Sequence, residues 1–181
     1  TITAEYVGAD VAKEKDADIT KFVDSIKAKY KELENKVVAK TDVDLIIADQ
    51  NENRLIRSQE TNLGDLCADA YKNVLGADIA FVNGGGIRTS IAKGNITYGQ
   101  IIAVHPFGNM ACVVEATGQQ ILDALEFGSR NVGKGENGGF LQVAGLTFAA
   151  LQSGVVVELN NGIDLCKSGY QFGVMDGSTR E

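Results

Sequence analysis

Ala77-Asp78-Ile79-Ala80-Phe81-Val82-Asn83-Gly84-Gly85-Gly86-Ile87-Arg88 passes from an apolar run into three consecutive glycines. The run Ala77 to Val82 predicts a short buried strand, and the glycines end it. Three glycines let backbone amides approach a ligand closely and adopt positive φ, and such nests favour anions. Arg88 adds a planar fork suited to phosphate or carboxylate. The segment is neither GxGxxG nor GxxxxGK[ST], so it is neither the dinucleotide fingerprint nor the P-loop. A tight glycine turn carrying a surface arginine is the plainer alternative.

Upstream of this stretch lies a clear amphipathic helix. Thr61 or Asn62 can cap it, Leu63, Leu66, Cys67, Ala70, Tyr71 and Val74 form its apolar stripe, and Gly76 ends it. Further back, Asp49 to Asn53 reads as a loop, and Val37-Val38-Ala39 and Val43 to Ile47 read as strands. An earlier helix is predicted over about 18–34, with Asp18 as cap and Ile19, Phe22, Val23, Ile26, Tyr30 and Leu33 on one face. Downstream, Thr97 with Gln100 and Thr117 with Gln120 read as capping boxes, opening a short helix Tyr98 to Val104 and a longer one to about Arg130. Met110 to Ala116, Phe140 to Phe148 and Val155 to Leu159 read as strands, and Gly133 to Gly139 as a glycine-rich loop. Val155 to Leu159 is the last strand read; Lys167 to Glu181 is polar and glycine-rich, ends without a stop signal for any element and looks cut. Strands and helices mix without a regular βαβ repeat, which makes the class α+β.

Composition narrows the function. The 181 residues are 44 % hydrophobic and 23 % charged with one proline, which excludes proline-rich and low-complexity chains. No run approaches the ~18–20 apolar residues of a membrane span, and no basic-then-apolar leader opens the sequence. The net charge of −7 argues against a face for polymeric nucleic acid, although a local arginine cluster can still hold a small anion. Cys67, Cys112 and Cys166 are widely spaced and read as free thiols rather than metal ligands.

A single histidine, His105, cannot supply a two-metal hydrolytic centre, and it reads as a bystander. No G-x-S-x-G elbow and no Cys/His arrangement is present. Catalytic and metal-ligating residues are therefore expected to be absent. Arg54 and Arg57 precede a helix start, where arginines can join its amides in holding an anion or simply pair with neighbouring acids. Phe107, between Pro106 and Gly108, sits at a turn where a ring could stack on a base or turn inward to the core. Glu60, Asp65, Asp69 and Asp78 are explained by capping and surface pairing.

Together these motifs resemble the C-terminal domain of the 5′-nucleotidase family. The segments that carry the likeness are Glu60-Thr61-Asn62-Leu63-Gly64-Asp65-Leu66, Ala68-Asp69-Ala70, Ala77-Asp78-Ile79-Ala80, Asn83 to Arg88, Gly94-Asn95-Ile96-Thr97, Pro106-Phe107-Gly108-Asn109 and Phe140 to Gly145. They run in family order from about Arg57 to Phe148. The resemblance implies a four-layer α/β/β/α domain over 36–181, truncated at its C-terminus, with residues 1–35 as an interdomain connector. It implies that Arg57 and Arg88 contact substrate phosphate or neighbouring oxygens and that Asn83 contacts the nucleoside. Phe107 would form one of two aromatic walls around the base, with Gly85 and Gly86 beside the substrate. The family's second wall comes from a late Asn-Phe or Asn-Tyr followed by Gly-Gly-Asp-Gly, which this sequence lacks. Tyr170, Phe172 and Asp176-Gly177 carry similar chemistry in a different context.

By the same resemblance, two divalent metal ions and the hydrolysis belong to an N-terminal catalytic domain of the parent protein, and this chain alone is expected to be inactive. The implied partners are a nucleotide or nucleoside and that catalytic domain, with a homodimer as a further option. The implied location is extracellular, periplasmic or on the cell surface. A dimerisation or interaction module with no ligand of its own is the alternative.

Overall fold

The computed structural model describes residue 3, residues 15–151 and the strands at 154–159 and 170–175. Helix α1 (Ala17–Glu34) is followed by β1 (Val37–Thr41), a 3-10 turn (Leu55–Arg57), α2 (Asn62–Leu75) and β2 (Ile79–Asn83). A second 3-10 turn (Gly84–Gly86) leads to β3 (Gly94–Thr97), α3 (Tyr98–Val104), β4 (Ala111–Ala116) and α4 (Gly118–Ser129). Strands β5 (Leu141–Ala144), β6 (Leu146–Leu151), β7 (Gly154–Leu159) and β8 (Tyr170–Met175) complete the order. The α+β class holds. The principal sheet has the order β4-β8-β2-β5, parallel between β2 and β8 and antiparallel elsewhere. Strands β1 and β3 pair antiparallel, as do β6 and β7.

Strand β2 is apolar from Ile79 to Val82, and both of its faces are covered there. Ala80 and Val82 join Leu63, Cys67 and Ala68 of α2 in one core cluster. Ile79 and Phe81 join Ile121 and Leu125 of α4 in another. Buried Ile56, Ile87, Ile91 and Val104 extend the first cluster toward the end of β2, where the glycines begin.

For α2 the cap is Thr61, one of the two the sequence allows, its Oγ1 accepting from Gly64 N–H at 3.2 Å. Several boundaries differ from the sequence expectation. Asp16, not Asp18, caps α1, accepting from Ile19 N–H at 2.9 Å. The segment 43–47 forms no strand, only an isolated bridge between Leu45 and Ile91. Side chains satisfy its backbone instead: Asn62 accepts from Ile46 N–H and donates to the Asp44 carbonyl, and Ser90 Oγ accepts from Ile47 N–H.

The strand expected from Phe140 to Phe148 is divided at Gly145, which has φ +84° and whose added Cβ would overlap the Asp78 carbonyl oxygen. Its halves serve different sheets. Strand β8 corrects the reading of Val155 to Leu159 as the last strand. Tyr170, Phe172 and Val174 recur at a period of two, and the segment pairs on both sides, with β2 and β4. Cys166 and Asp176-Gly177 lie outside the described residues.

Candidate functional site

The three glycines are needed for close packing rather than for unusual dihedrals. None of Gly84, Gly85 and Gly86 has positive φ, which corrects the expectation of a left-handed nest. A Cβ on Gly84 would overlap the carbonyl oxygen of Ile56. One on Gly85 would lie 2.9 Å from the Gly138 carbonyl oxygen, and one on Gly86 3.1 Å from Asn83 Oδ1. Two of the amides are also committed, Gly84 N–H donating to the Phe140 carbonyl at 2.7 Å and Gly85 N–H to the Gly138 carbonyl at 2.8 Å. The turn therefore brings two other segments against itself: the 3-10 turn that ends in Arg57, and the loop before β5.

Arg57 is held from both sides. Ile56, fully buried, donates its N–H to the Ile47 carbonyl and accepts from buried Gln142 Nε2 at 3.1 Å. Gln142 also donates to the Gln59 carbonyl at 2.8 Å and accepts from Thr61 N–H at 3.1 Å, tying β5 to the start of α2. The Arg57 carbonyl accepts from Asn137 N–H at 3.0 Å, and its Nη1 donates to Glu136 Oε2 at 3.3 Å. Arg54 stands exposed at the start of the same turn.

Asn83, at the end of β2, donates from Nδ2 to the Gly138 carbonyl at 3.2 Å. Arg88 Nη1 donates to the Gly85 carbonyl at 3.1 Å, and its backbone N–H donates to the Val104 carbonyl at 3.0 Å. That second bond anchors Arg88 beside the end of α3, so the turn after α3 presents Phe107 to it. The guanidinium carbon lies 5.6 Å from the centre of the Phe107 ring, within cation–π range. Phe107 is 47 % exposed and is therefore not a core ring.

All six residues expected to meet a substrate, Arg57, Asn83, Gly85, Gly86, Arg88 and Phe107, thus lie along one run of contacts. Two participants escaped the sequence reading, Glu136 and Asn137 of the glycine-rich loop. Asn137 organises that loop, donating from Nδ2 to the Gly128 carbonyl at 2.6 Å and accepting at Oδ1 from Gly139 N–H at 3.0 Å. An amide side chain among glycines was the available signal.

His105 sits behind Phe107. Its Nε2 is 3.4 Å from Cys67 Sγ, and Tyr71 meets the ring edge-on with centroids 5.8 Å apart. Burial lowers the His105 pKa, opposed by the Gly86 backbone, and pushes the Cys67 thiol up to about 12. Burial thus favours the uncharged form of both groups, which does not activate Cys67 as a nucleophile. Tyr71, His105, Phe107, Gly108 and Asn109 line a small cavity of about 60 Å³.

A larger cavity, about 300 Å³, contains none of the six expected residues; Glu60, Asp65, Phe140 and Phe148 are among those lining it. Burial first, then the neighbouring Glu60, raises the Asp65 carboxyl to about 6. Among the described residues, no group of three or more His, Cys, Asp or Glu side chains is placed to hold a metal ion. Nor, among them, is any helix long and apolar enough to cross a membrane.

Comparison with known proteins adds to this geometry. The family model described as the 5′-nucleotidase C-terminal domain matches residues 37–157. The chain is 41 % identical over 145 residues to the trifunctional nucleotide phosphoesterase protein YfkN of Bacillus subtilis, a match covering 77 % of this chain and 9 % of the relative. It is 40 % identical over 121 residues to the cell wall protein Lmo0130 of Listeria monocytogenes, covering 60 % of this chain and 15 % of that one. Among solved structures, the 5′-nucleotidase precursor of Thermus thermophilus superposes with a TM-score of 0.73 at 34 % identity, covering 89 % of this chain and 33 % of its own. The chain thus spans a third or less of each of these relatives.

Proposed function

The chain belongs to the 5′-nucleotidase C-terminal domain family, and from that premise we propose that it is the nucleotide-recognition part of a phosphoesterase. Arg57 and Arg88 take the phosphate or the oxygens beside it, Asn83 makes a polar contact to the nucleoside, and Phe107 stacks on the base. Gly85 and Gly86 keep the floor of the site free of side chains. The observation that carries this reading is the continuous run of contacts from Arg57 through Gly138 and Gly85 to Arg88 and Phe107. It links the Arg57 backbone, through Asn137 and Gly138, to Gly85, the Arg88 guanidinium and the exposed Phe107 ring, and a guanidinium beside an exposed ring suits an anion joined to an aromatic base.

In this reading residues 1–35 connect to a catalytic domain and residues 36–181 form the recognition domain. Two divalent metal ions held by the catalytic domain would supply the attacking hydroxide. This chain binds and orients the ester. Its setting is the cell surface, the periplasm or the medium, in keeping with a relative named as a cell wall protein.

A module that only pairs subunits is the competing reading, and the apolar stripe of α1, exposed among the described residues, favours it. Ligand-observed NMR with AMP, adenosine and inorganic phosphate, on this chain and on Arg88→Ala, separates the two. Recognition predicts base contacts for both AMP and adenosine, and a variant that weakens AMP far more than adenosine. Absence of binding to a chain shown to be folded would favour the pairing module.

A further inference from the structure

Arg57 already faces an anion of its own chain. Its ion pair with Glu136 joins residues 79 apart in sequence, with the Arg57 side chain 22 % exposed and Glu136 49 %. The other ion pair found among the described residues, Lys40 with Asp42, is local and far more exposed.

The loop bearing Glu136 is tied down just past it. Asn137 N–H donates to the Arg57 carbonyl, Asn137 Nδ2 to the Gly128 carbonyl, and Gly85 N–H to the Gly138 carbonyl. None of these bonds uses the Glu136 side chain. Its carboxylate can leave the guanidinium while the loop stays in place.

A carboxylate and a phosphate monoester offer a guanidinium the same pair of charged acceptor oxygens. We infer that Glu136 is the resident carboxylate of the Arg57 anion position, and that a nucleotide phosphate engages Arg57 only by displacing it. The inference rests on the nucleotide reading above and adds to it a specificity-determining residue. A nucleoside without phosphate leaves the Arg57–Glu136 pair intact, whereas a phosphate monoester competes with it. Glu136 thereby lowers affinity for phosphorylated ligands selectively, by about two- to five-fold for a partly exposed pair.

Calorimetric or NMR titration of this chain with AMP and adenosine tests it, using Glu136→Gln, Glu136→Ala and Glu60→Gln. The last removes one negative charge from the exposed Glu60, close in sequence to Arg57, without touching the pair. Both Glu136 variants should tighten AMP by about two- to five-fold and leave adenosine unchanged, and adding Arg57→Ala should erase the gain. Unchanged or weaker AMP binding in the Glu136 variants, with adenosine still bound, overturns the inference alone. An equal gain from Glu60→Gln also overturns it, because overall charge then accounts for the effect. If neither AMP nor adenosine binds the unmodified chain, the nucleotide reading fails and takes this inference with it.

Discussion

Helices α1 and α2 are both amphipathic, both capped by a side-chain oxygen and both visible in the sequence, yet they end in opposite environments. In α2 the residues Leu63, Gly64, Cys67 and Ala68 are buried against β2 and β5. In α1 no residue is buried, and Phe22 is 65 % exposed. A stripe at helical spacing reports that a face needs covering and does not report what covers it. Part of the cover of α2 is written nearby, in the apolar run of β2, and part far off in the chain, in β5, whose Gln142 amide bonds the residues just before the helix.

The sharpest way to break this contrast is to truncate each stripe. Leu63→Ala should cost about 3 kcal/mol, the usual range for a fully buried leucine, measured as a shift of the urea midpoint at constant m-value. A smaller effect follows from the close approach beneath the Arg57 turn. Gly84→Ala drives a Cβ into the Ile56 carbonyl and should cost about 2 kcal/mol. An unfolding curve superimposable on that of the unmodified chain would show that the two turns are not packed as described.

Asp65, in the first turn of α2, gives that helix a pH signature. Its raised pKa means that the folded chain keeps the proton longer than the unfolded one. Stability should therefore fall as pH rises from the ordinary carboxyl value of 3.8 to about 6, and stay lower above that. Solvent still reaches the group, so the loss should be about 1 kcal/mol. Asp65→Asn should abolish that part of the slope, and a persisting slope would assign it elsewhere. The smallest effect expected is from Phe22→Ala, below about 0.5 kcal/mol. A cost rivalling that of Leu63→Ala would mean that the α1 stripe is covered in solution.

Local chemistry was legible wherever it is sufficient by itself. Both capping boxes, the glycine end of α2 and the buried run of β2 follow from a few adjacent residues. What escaped depends on distant partners. Segment 43–47 has strand-like residues, but Asn62 and Ser90 take its hydrogen bonds, and neither is near it in sequence. The candidate site divides in the same way. Arg88 and Phe107 stand out as a glycine-flanked arginine and a turn aromatic, whereas Glu136 matters only because the fold carries it to Arg57. The glycines read in the sequence as a left-handed nest, and the structure gives them a different part. They are small because Ile56 and Gly138 press against them, not because their backbone is left-handed.

The position of β8 has a consequence for biosynthesis. It lies between β2 and β4 although it follows both in the chain by more than fifty residues. During translation β2 and β4 emerge long before the strand that separates them and must wait with unpaired edges. Exposed edges of that kind are sites of mispairing between chains. The principal sheet can therefore close only late in synthesis, and α2 and α4, which flank β2 and emerge earlier, are placed to shield its two faces meanwhile.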